Sequence, residues 1–476
     1  MLPKTLKYGS KVESAYSRSM RSNIQPQNGT GPYNLGDTII VNIPTRNNLV
    51  LVPSESYLKF NINITNGTNN NAFRWDSCGA HGIIQRIRVF HGSNLLQDID
   101  NYGMLAKMLF DLQLPTDATY GKYNVLCGTR SDLILPTYAD ATGDGTAITG
   151  ALLKPIINVN RSIFQINSGD RIDGNGALSG LGAVPAVTYC LSLVSLVGLL
   201  CSQNYIPLFE MTSAPLRLEI QLIDQLIKAC NVLTVATAVS TATLTNVEYV
   251  GNFIELGDPA VAMIKDSLGG APLQFVVPDY RNYVYNYQLT NGNTATLAMP
   301  IAAKFSSVKA IFITVRDKGT GVASQFPYSS VSKNIADYQF RIGANVFPPK
   351  VASTLPEMFA EVLKAIGSIS DINQQPSIEK TSYSLVSSGN GATLLDTATS
   401  VSSQHSGSFY IGIDLESYAN APKDTIFTGY NTNTEDTYCL INYGTITGGD
   451  SNARFDAFAN FDCVVVCENN TAYVRF

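Results

Sequence analysis

The sequence of 476 residues predicts an all-β protein built from two similar β-sandwiches in tandem. Apolar and polar residues alternate with a period of two along many short segments, which is typical of strands with one buried face. Asn-Gly pairs at 66–67, 291–292 and 390–391 favour tight turns between such segments. One order of strand, turn and helix occurs twice, about half the chain length apart, which indicates a duplicated unit.

The strand predictions rest on the alternation. Apolar and polar residues alternate without interruption in Leu216–Leu222 and in residues 58–64. We expect each of these segments to present one face to a core. Less regular alternation predicts further strands at 84–89, 247–254, 308–316, 338–342, 409–415 and 461–467. Many short strands with Gly-rich and Asn-rich turns favour sandwiches over a parallel α/β sheet.

Two segments have the pattern of an amphipathic helix. The first covers residues 101–113, with Asp100 as its expected N-cap. The second covers residues 355–366, where Thr354 and Glu357 have the spacing of a capping box and Gly367 follows the last turn. We expect both to be short helices in the connections of a β protein.

The segments before the two helices resemble each other. Arg86 to Leu96 and Phe340 to Phe347 each contain arginine in a strand, a small-residue turn with Gly and Asn, and two apolar residues. The joint between the two copies is expected near residues 256–270, where Gly257-Asp258-Pro259 and Gly269-Gly270 interrupt the strand pattern. A joint this short predicts two units packed side by side.

Composition excludes several classes of protein. Charged residues make up only 14% of the chain, the net charge is −5 and the isoelectric point is about 5.3. The apolar content of 45% argues against disorder, and the lack of a basic surface argues against a general nucleic-acid binder. An uncharged stretch at 174–209 is interrupted by Pro185 and Gly198, so we expect a buried strand and loop there, not a membrane span.

No residue pattern identifies a catalytic, cofactor or metal site. Cys78, His81 and His91 lack a fourth ligand at metal-site spacing, and His405 with Ser406 and Ser408 lacks the turn of a nucleophile elbow. The eight cysteines contain no CxxC pair, which favours free buried thiols. Paired carboxylates of a glycosidase remain open, because such partners meet only in space.

The N-terminal segment is the one basic part of the chain. Residues 1–25 contain a single acidic residue, Glu13, and five basic residues. The basic residues are Lys4, Lys7, Lys11, Arg18 and Arg21. The segment has no apolar core of a signal peptide, so we expect a chain that is not secreted by that route. Either a solvated terminus or an interacting arm accounts for this charge.

The order of several segments is similar to that in the major capsid proteins of double jelly-roll viruses, such as virophages, Polinton-like viruses and the adenovirus-hexon-related lineage of double-stranded DNA viruses. The segments that carry this resemblance are Tyr205-Ile206-Pro207-Leu208, Leu216–Leu222, Tyr280-Arg281-Asn282-Tyr283, residues 305–312 with Val315-Arg316, residues 338–343, Phe359-Ala360-Glu361, residues 456–459 and Arg475-Phe476. They cover most of both halves, and the order of the segments is more specific than any single one.

The resemblance implies two tandem eight-stranded jelly rolls with a few short helices, at 35–262 and 263–476, after an N-terminal arm at 1–34. It implies no enzyme activity and no cofactor. It implies a homotrimer that forms a pseudo-hexagonal capsomer of an icosahedral virion, beside penton and minor capsid proteins. The basic arm would then contact neighbours, an internal membrane or the genome at the inner face of the capsid.

Two other classes of function stay open from the sequence. A tandem-sandwich lectin or receptor-binding spike would bind a specific glycan. A β-sandwich carbohydrate enzyme would need a cleft with a carboxylic acid of strongly shifted pKa. The low charge favours the capsid interpretation, since a shell repeats every unit of net charge many times and neighbours repel each other within a Debye length of about 8 Å.

Overall fold

The computed structural model describes residues 17–65, 73–129, 186–193, 198–200, 205–232, 241–317, 326–367, 369–370, 376–387, 406–417, 428–446 and 451–476. The strands of the first half are β1 Ser17–Ile24, β2 Tyr33–Asn34, β3 Thr38–Ile43, β4 Leu49–Thr65, β5 Phe73–Arg74, β6 Ile84–His91, β7 Asn94–Asp100, β8 Val187–Leu191, β9 Leu216–Leu222, β10 Asn231–Val232 and β11 Thr241–Leu256. Those of the second half are β12 Leu273–Leu289, β13 Ala295–Ile301, β14 Val308–Asp317, β15 Ile335–Ile342, β16 Asn345–Ala352, β17 Tyr410–Asp414, β18 Thr437–Tyr443, β19 Ser451–Glu468 and β20 Thr471–Arg475.

The main strands form four antiparallel sheets, two in each half. The sheets are β1-β11-β4-β8 and β3-β9-β6-β7 in the first half, and β12-β19-β14-β17 and β13-β18-β15-β16 in the second. When the eight main strands of a half are counted along the chain, both halves have the orders 1-8-3-6 and 2-7-4-5. This is the connectivity of a jelly roll, so the predicted fold of two tandem eight-stranded jelly rolls is confirmed.

Every segment of predicted alternation overlaps a strand, although β4 and β19 extend well beyond the predicted 58–64 and 461–467. In β9 the four apolar side chains of Leu216–Leu222 are buried, and the polar side chains between them are half-buried. The turn at Asn291-Gly292 lies between β12 and β13, and Gly292 adopts a φ of +82°. The other two Asn-Gly pairs lie outside the described residues.

Both predicted helices are present, and each follows the fifth main strand of its half. The helices are α1 Tyr102–Gln113, α2 Thr116–Tyr120, α3 Lys122–Cys127, α4 Asp258–Ser267, α5 Leu355–Lys364 and α6 Lys380–Tyr383. The N-cap of α1 is Asn101, not Asp100, and Asp100 accepts a hydrogen bond from the Asn101 N–H. At α5 the N-cap is Thr354, but Glu357 accepts from the N–H of Ser353, so the expected capping box does not close.

The joint between the halves contains a helix that was not predicted from the sequence. Helix α4 begins after Gly257, with Pro259 in its first turn and Asp258 at its positive end. Among the described residues, strands up to Leu256 pair only with one another, as do those from Leu273 onward. The domain limits at 34/35 and 262/263 stay predictions. Strand β1 lies inside the range assigned to the arm.

Candidate functional site at the contact between the two sandwiches

A buried ion cluster lies where the first sandwich meets the second. The ammonium of Lys107 on α1 is 2.9 Å from Oδ1 of Asp76 and 3.1 Å from Oδ2 of Asp111, and all three side chains are buried. Burial alone would lower the pKa of Lys107, but the charges of Asp111 and Asp76 outweigh it and raise that pKa. Burial would likewise raise the pKa of Asp76, yet Lys107 and hydrogen bonds from Ser406, Lys107 and Ser77 lower it. The cluster is therefore charged.

The second sandwich supplies hydroxyl donors to these carboxylates. Ser406 donates to Oδ2 of Asp76 over 2.6 Å. Ser408 and Tyr410 donate to Oδ2 of Asp111 over 2.8 and 2.7 Å. These three residues lie just before β17 and at its first position, so the ion cluster of the first sandwich fixes the start of a strand in the second. A buried carboxylate with this many donors is well satisfied.

Tyr328 of the second sandwich fits between two glycines of the first. Its hydroxyl donates to the carbonyl of Gly82 over 2.6 Å. A Cβ at Gly82 would lie 3.0 Å from the Tyr328 ring, and a Cβ at Gly103 would collide with the hydroxyl. Because both positions lack a side chain, the ring can approach the backbone closely.

Arg316 links the same region to Asn101. Its guanidinium lies 2.7 Å from Oδ2 of Asp456 and donates to Oδ1 of Asn101 over 3.3 Å. Arg454 pairs with the other oxygen of Asp456 over 2.8 Å. The buried Asp456 is thus held between two guanidinium groups, one of which crosses to the first sandwich.

A carboxyl group without a cation partner lies at a separate part of the contact. Gln97 on β7 donates from Nε2 to Oδ1 of Asp279 on β12 over 2.9 Å, and Gln97 accepts from the N–H of Leu199. The other oxygen of Asp279 has no hydrogen-bond partner among the described residues. Burial raises the pKa of Asp279 to about 7. The hydrogen bonds from Gln97 and from the Tyr280 N–H and the charge of Arg281 lower this pKa, but burial outweighs them.

The arm residues are placed apart from this contact. Arg18 and Arg21 lie on β1 and are exposed, and every residue of β1 pairs with β11 from Ser17↔Leu256 to Ile24↔Tyr249. Arg21 also lies 5.7 Å from the ring centre of Tyr57. Lys4, Lys7 and Lys11 lie outside the described residues.

The residues weighed as metal ligands or nucleophiles have other contacts. No group of His, Cys, Asp and Glu suited to a metal occurs in the part of the chain that the structure describes. The ring of His81 is 2.9 Å from the Tyr102 hydroxyl, and burial lowers the pKa of His81 to about 3. Ser406 and Ser408 donate to the carboxylates above, and His405 lies outside the described residues. The described cysteines are free and buried, apart from the half-buried Cys190.

The ion cluster was not predicted from the sequence, although α1 contains a signal for it. Every residue from Tyr102 to Leu112 is buried, and Lys107 and Asp111 are the two charges in an otherwise apolar helix. An i,i+4 ion pair usually lies on a solvated face. Here apolar residues surround it on all sides, which could have predicted a buried pair.

No family model matches the chain. None of the curated protein sequences searched is significantly similar to it either. Among the described residues, no helix combines the length and the apolar character needed to cross a bilayer.

Solved structures of viral capsids match the whole chain. PBCV-1 VP54, fitted into a reconstruction of the virophage Sputnik, has a TM-score of 0.59 at 8% identity over 99% of this chain and 100% of its own. The Sputnik virophage structure gives 0.58 at 9% identity over 100% and 91%. The mavirus major capsid protein gives 0.55 at 11% identity over 100% and 93%. The chain therefore has the double jelly-roll fold of the major capsid proteins of double-stranded DNA viruses.

Proposed function

We propose that the chain is a major capsid protein, whose activity is assembly and not catalysis. Three copies would place six sandwiches around one axis as a pseudo-hexagonal capsomer, and capsomers would tile the icosahedral shell of a virion. The observation that carries this proposal is the pair of sandwiches with identical strand order, joined by buried contacts within one chain. Two equivalent units in a fixed arrangement can serve as two of the six positions.

The low charge of the chain supports assembly. With 14% charged residues and a net charge of −5, neighbouring copies repel one another weakly. The 24 tyrosines provide side chains with an apolar ring and a polar tip, which suit contacts that are buried only after assembly. Many weak contacts of this kind add up by multivalency.

Further partners belong to the same proposal. Penton and minor capsid proteins would complete the shell, and the basic N-terminal segment would contact a minor protein, an internal membrane or the genome. Because β1 is part of a sheet, a deletion that tests the arm must end before Ser17. Deletion of residues 1–16 should leave capsomers intact and impair shell assembly. Substitution of Lys4, Lys7 and Lys11 by Gln should have a similar effect if charge is the cause. Normal shells from both variants would contradict a role for the arm.

The state of assembly tests the proposal. Purified full-length chain should elute and scatter light as a trimer of about 154 kDa, three times the chain mass of 51.4 kDa, or as larger particles. A monomer at micromolar concentration would contradict it. A glycan-binding spike would instead bind a defined glycan, and a carbohydrate enzyme would lose activity on mutation of one carboxylate.

A further inference from the structure

Two side chains at the turn between β6 and β7 bind the backbone of one residue in the second sandwich. The N–H of Ala472 on β20 donates to Nδ1 of His91 over 3.0 Å. The side chain of Asn94 donates to the carbonyl oxygen of the same residue over 3.0 Å. His91 and Ala472 are both buried. Two side chains of the first sandwich thus satisfy both polar groups of one residue in the second.

The partners of His91 determine its tautomer. Nε2 lies 3.1 Å from the carbonyl oxygen of Met211, which can only accept a hydrogen bond. Nδ1 faces the Ala472 N–H, which can only donate. These partners assign the ring proton to Nε2, and the bare Nδ1 is the acceptor that joins the two sandwiches.

A second proton on His91 is incompatible with this contact. It would bind to Nδ1, turn the acceptor into a donor and bring two N–H groups against each other. The Ala472 N–H would then be buried without a partner, and a charged imidazolium would be buried with it. Both effects favour separation of β20 from the turn.

No acidic side chain among the described residues is bonded to His91. The charged side chains on the elements around it have partners of their own: Arg86 with Asp98, Arg88 and Arg217 with Glu219, Glu210 with Lys265, and Glu468 with the Tyr473 hydroxyl, which also accepts from Arg475. Asp100 accepts from Gln85 and from the Asn101 N–H. A protonated His91 would therefore have no carboxylate among the described residues as its ion-pair partner.

The equivalent turn of the second sandwich lacks the titratable residue. Ile342 stands where the first turn has His91, and Asn345 stands where it has Asn94. Asn345 donates to the hydroxyl of Tyr430 within its own sandwich over 2.7 Å. Of the two turns, the one that contacts the other sandwich carries the histidine.

We propose that His91 is a proton-sensitive latch between the sandwiches: neutral, it holds β20 against the first sandwich, and on gaining a proton it releases β20. Acidification then loosens the contact at this end while the Lys107 cluster stays bonded. The inference concerns the single chain and does not depend on its role in a capsid.

Hydrogen exchange of the full-length chain at residues 469–476 tests the latch. After correction for intrinsic exchange, protection at Ala472 should fall roughly tenfold or more between about pH 7.5 and about pH 5.5, as expected for loss of one hydrogen bond. The strand β16 is the internal reference and should keep its protection. Equal protection of Ala472 at both pH values in the unmodified chain would overturn the proposal.

Two variants separate the latch from general acid sensitivity. His91→Asn places an oxygen near the position of Nδ1, which accepts from Ala472 but does not titrate, so protection should be high at both pH values. His91→Leu has no acceptor, so protection should already be low at about pH 7.5. If His91→Asn lost protection on acidification as the unmodified chain does, another group would be the sensor and the proposal would be wrong.

Discussion

Gly92 and Gly343 occupy the same position in the two sandwiches. Each follows the last residue of the fourth main strand, and each adopts nearly the same left-handed conformation, with φ of +59° and +57°. In both turns an Asn two positions later begins the fifth strand. The two halves therefore share a turn geometry as well as a strand order, which supports an origin by duplication.

Alanine at either glycine should destabilise the chain. For an L-residue the left-handed conformation costs about 1–2 kcal/mol. At Gly92 the nearest atom to a new Cβ is 3.6 Å away, and at Gly343 the close atoms belong to the flexible end of the Glu435 side chain, which can move aside. Denaturant unfolding should thus show a similar loss for Gly92→Ala and Gly343→Ala, set by the backbone conformation. Gly92→Asn is the control and should lose less, because Asn tolerates this conformation. Neutral alanine variants would contradict the shared geometry.

Removal of the buried ammonium should be among the most destabilising single changes. Lys107→Met leaves Asp76 and Asp111 as buried carboxylates without a cation, which should lower the free energy of unfolding by about 3–5 kcal/mol. Lys228→Met is the matched control, since it breaks the half-exposed pair with Asp224 and should cost less than about 1 kcal/mol. Equal stability of the two variants would show that the ion cluster does not hold the sandwiches together.

A methyl group at Gly103 should displace Tyr328. Gly103→Ala should lower the free energy of unfolding by about 1–3 kcal/mol through overpacking. Tyr328→Phe alone loses the hydrogen bond to Gly82, which contributes about 1 kcal/mol. The double variant lacks the hydroxyl, and the nearest remaining atom to the new Cβ is the ring carbon Cζ, at 2.8 Å. The loss in the double variant should therefore be smaller than the two single losses added together. Strict additivity in the thermodynamic cycle would contradict this contact.

Asp279 should make the contact more stable as the pH falls through neutrality. Burial raises the pKa of Asp279 from its ordinary value of 3.8 to about 7 in the folded chain. Above pH 7 the carboxyl is ionised in both states and the folded state bears the full cost of the buried charge. Between pH 7 and 3.8 the folded state binds a proton that the unfolded state does not, so stability rises as pH falls, by up to a few kcal/mol.

The Asp279→Asn variant isolates this effect. It should unfold at higher denaturant concentration than the unmodified chain at about pH 8.5, and the difference should shrink by about pH 5.5. The response is opposite in sign to that expected of His91, so each group is measured against its own non-titrating variant. A difference between Asp279→Asn and the unmodified chain that does not change with pH would contradict the raised pKa.

Local pattern was sufficient to predict strands with clear alternation such as β9, but β3, β7, β13 and β18 were not predicted. The contact between the sandwiches was not accessible from the sequence at all. The bounds of β9 and the paired turns at Gly92 and Gly343 follow from alternation and turn chemistry, which act between neighbours in the chain. Asp76 lies 31 residues before Lys107 and 330 residues before Ser406, so no short-range pattern encodes their meeting. The helix α4 was missed because its side chains are not buried, so it has no apolar stripe against a core.

The basic arm shows a different limit. Its charges are evident from the sequence, but composition does not show where a terminal segment enters a sheet. Arg18 and Arg21 lie on β1, which pairs with β11 along its whole length, so these two charges belong to the surface of the first sandwich.

Electron microscopy of the purified full-length chain tests the capsid proposal most directly. Averaged particles should show six lobes around an axis, with true threefold symmetry, because the two sandwiches of one chain are equivalent in strand order but different in sequence. Particles with two lobes, corresponding to single chains at concentrations where capsomers should form, would contradict the proposal.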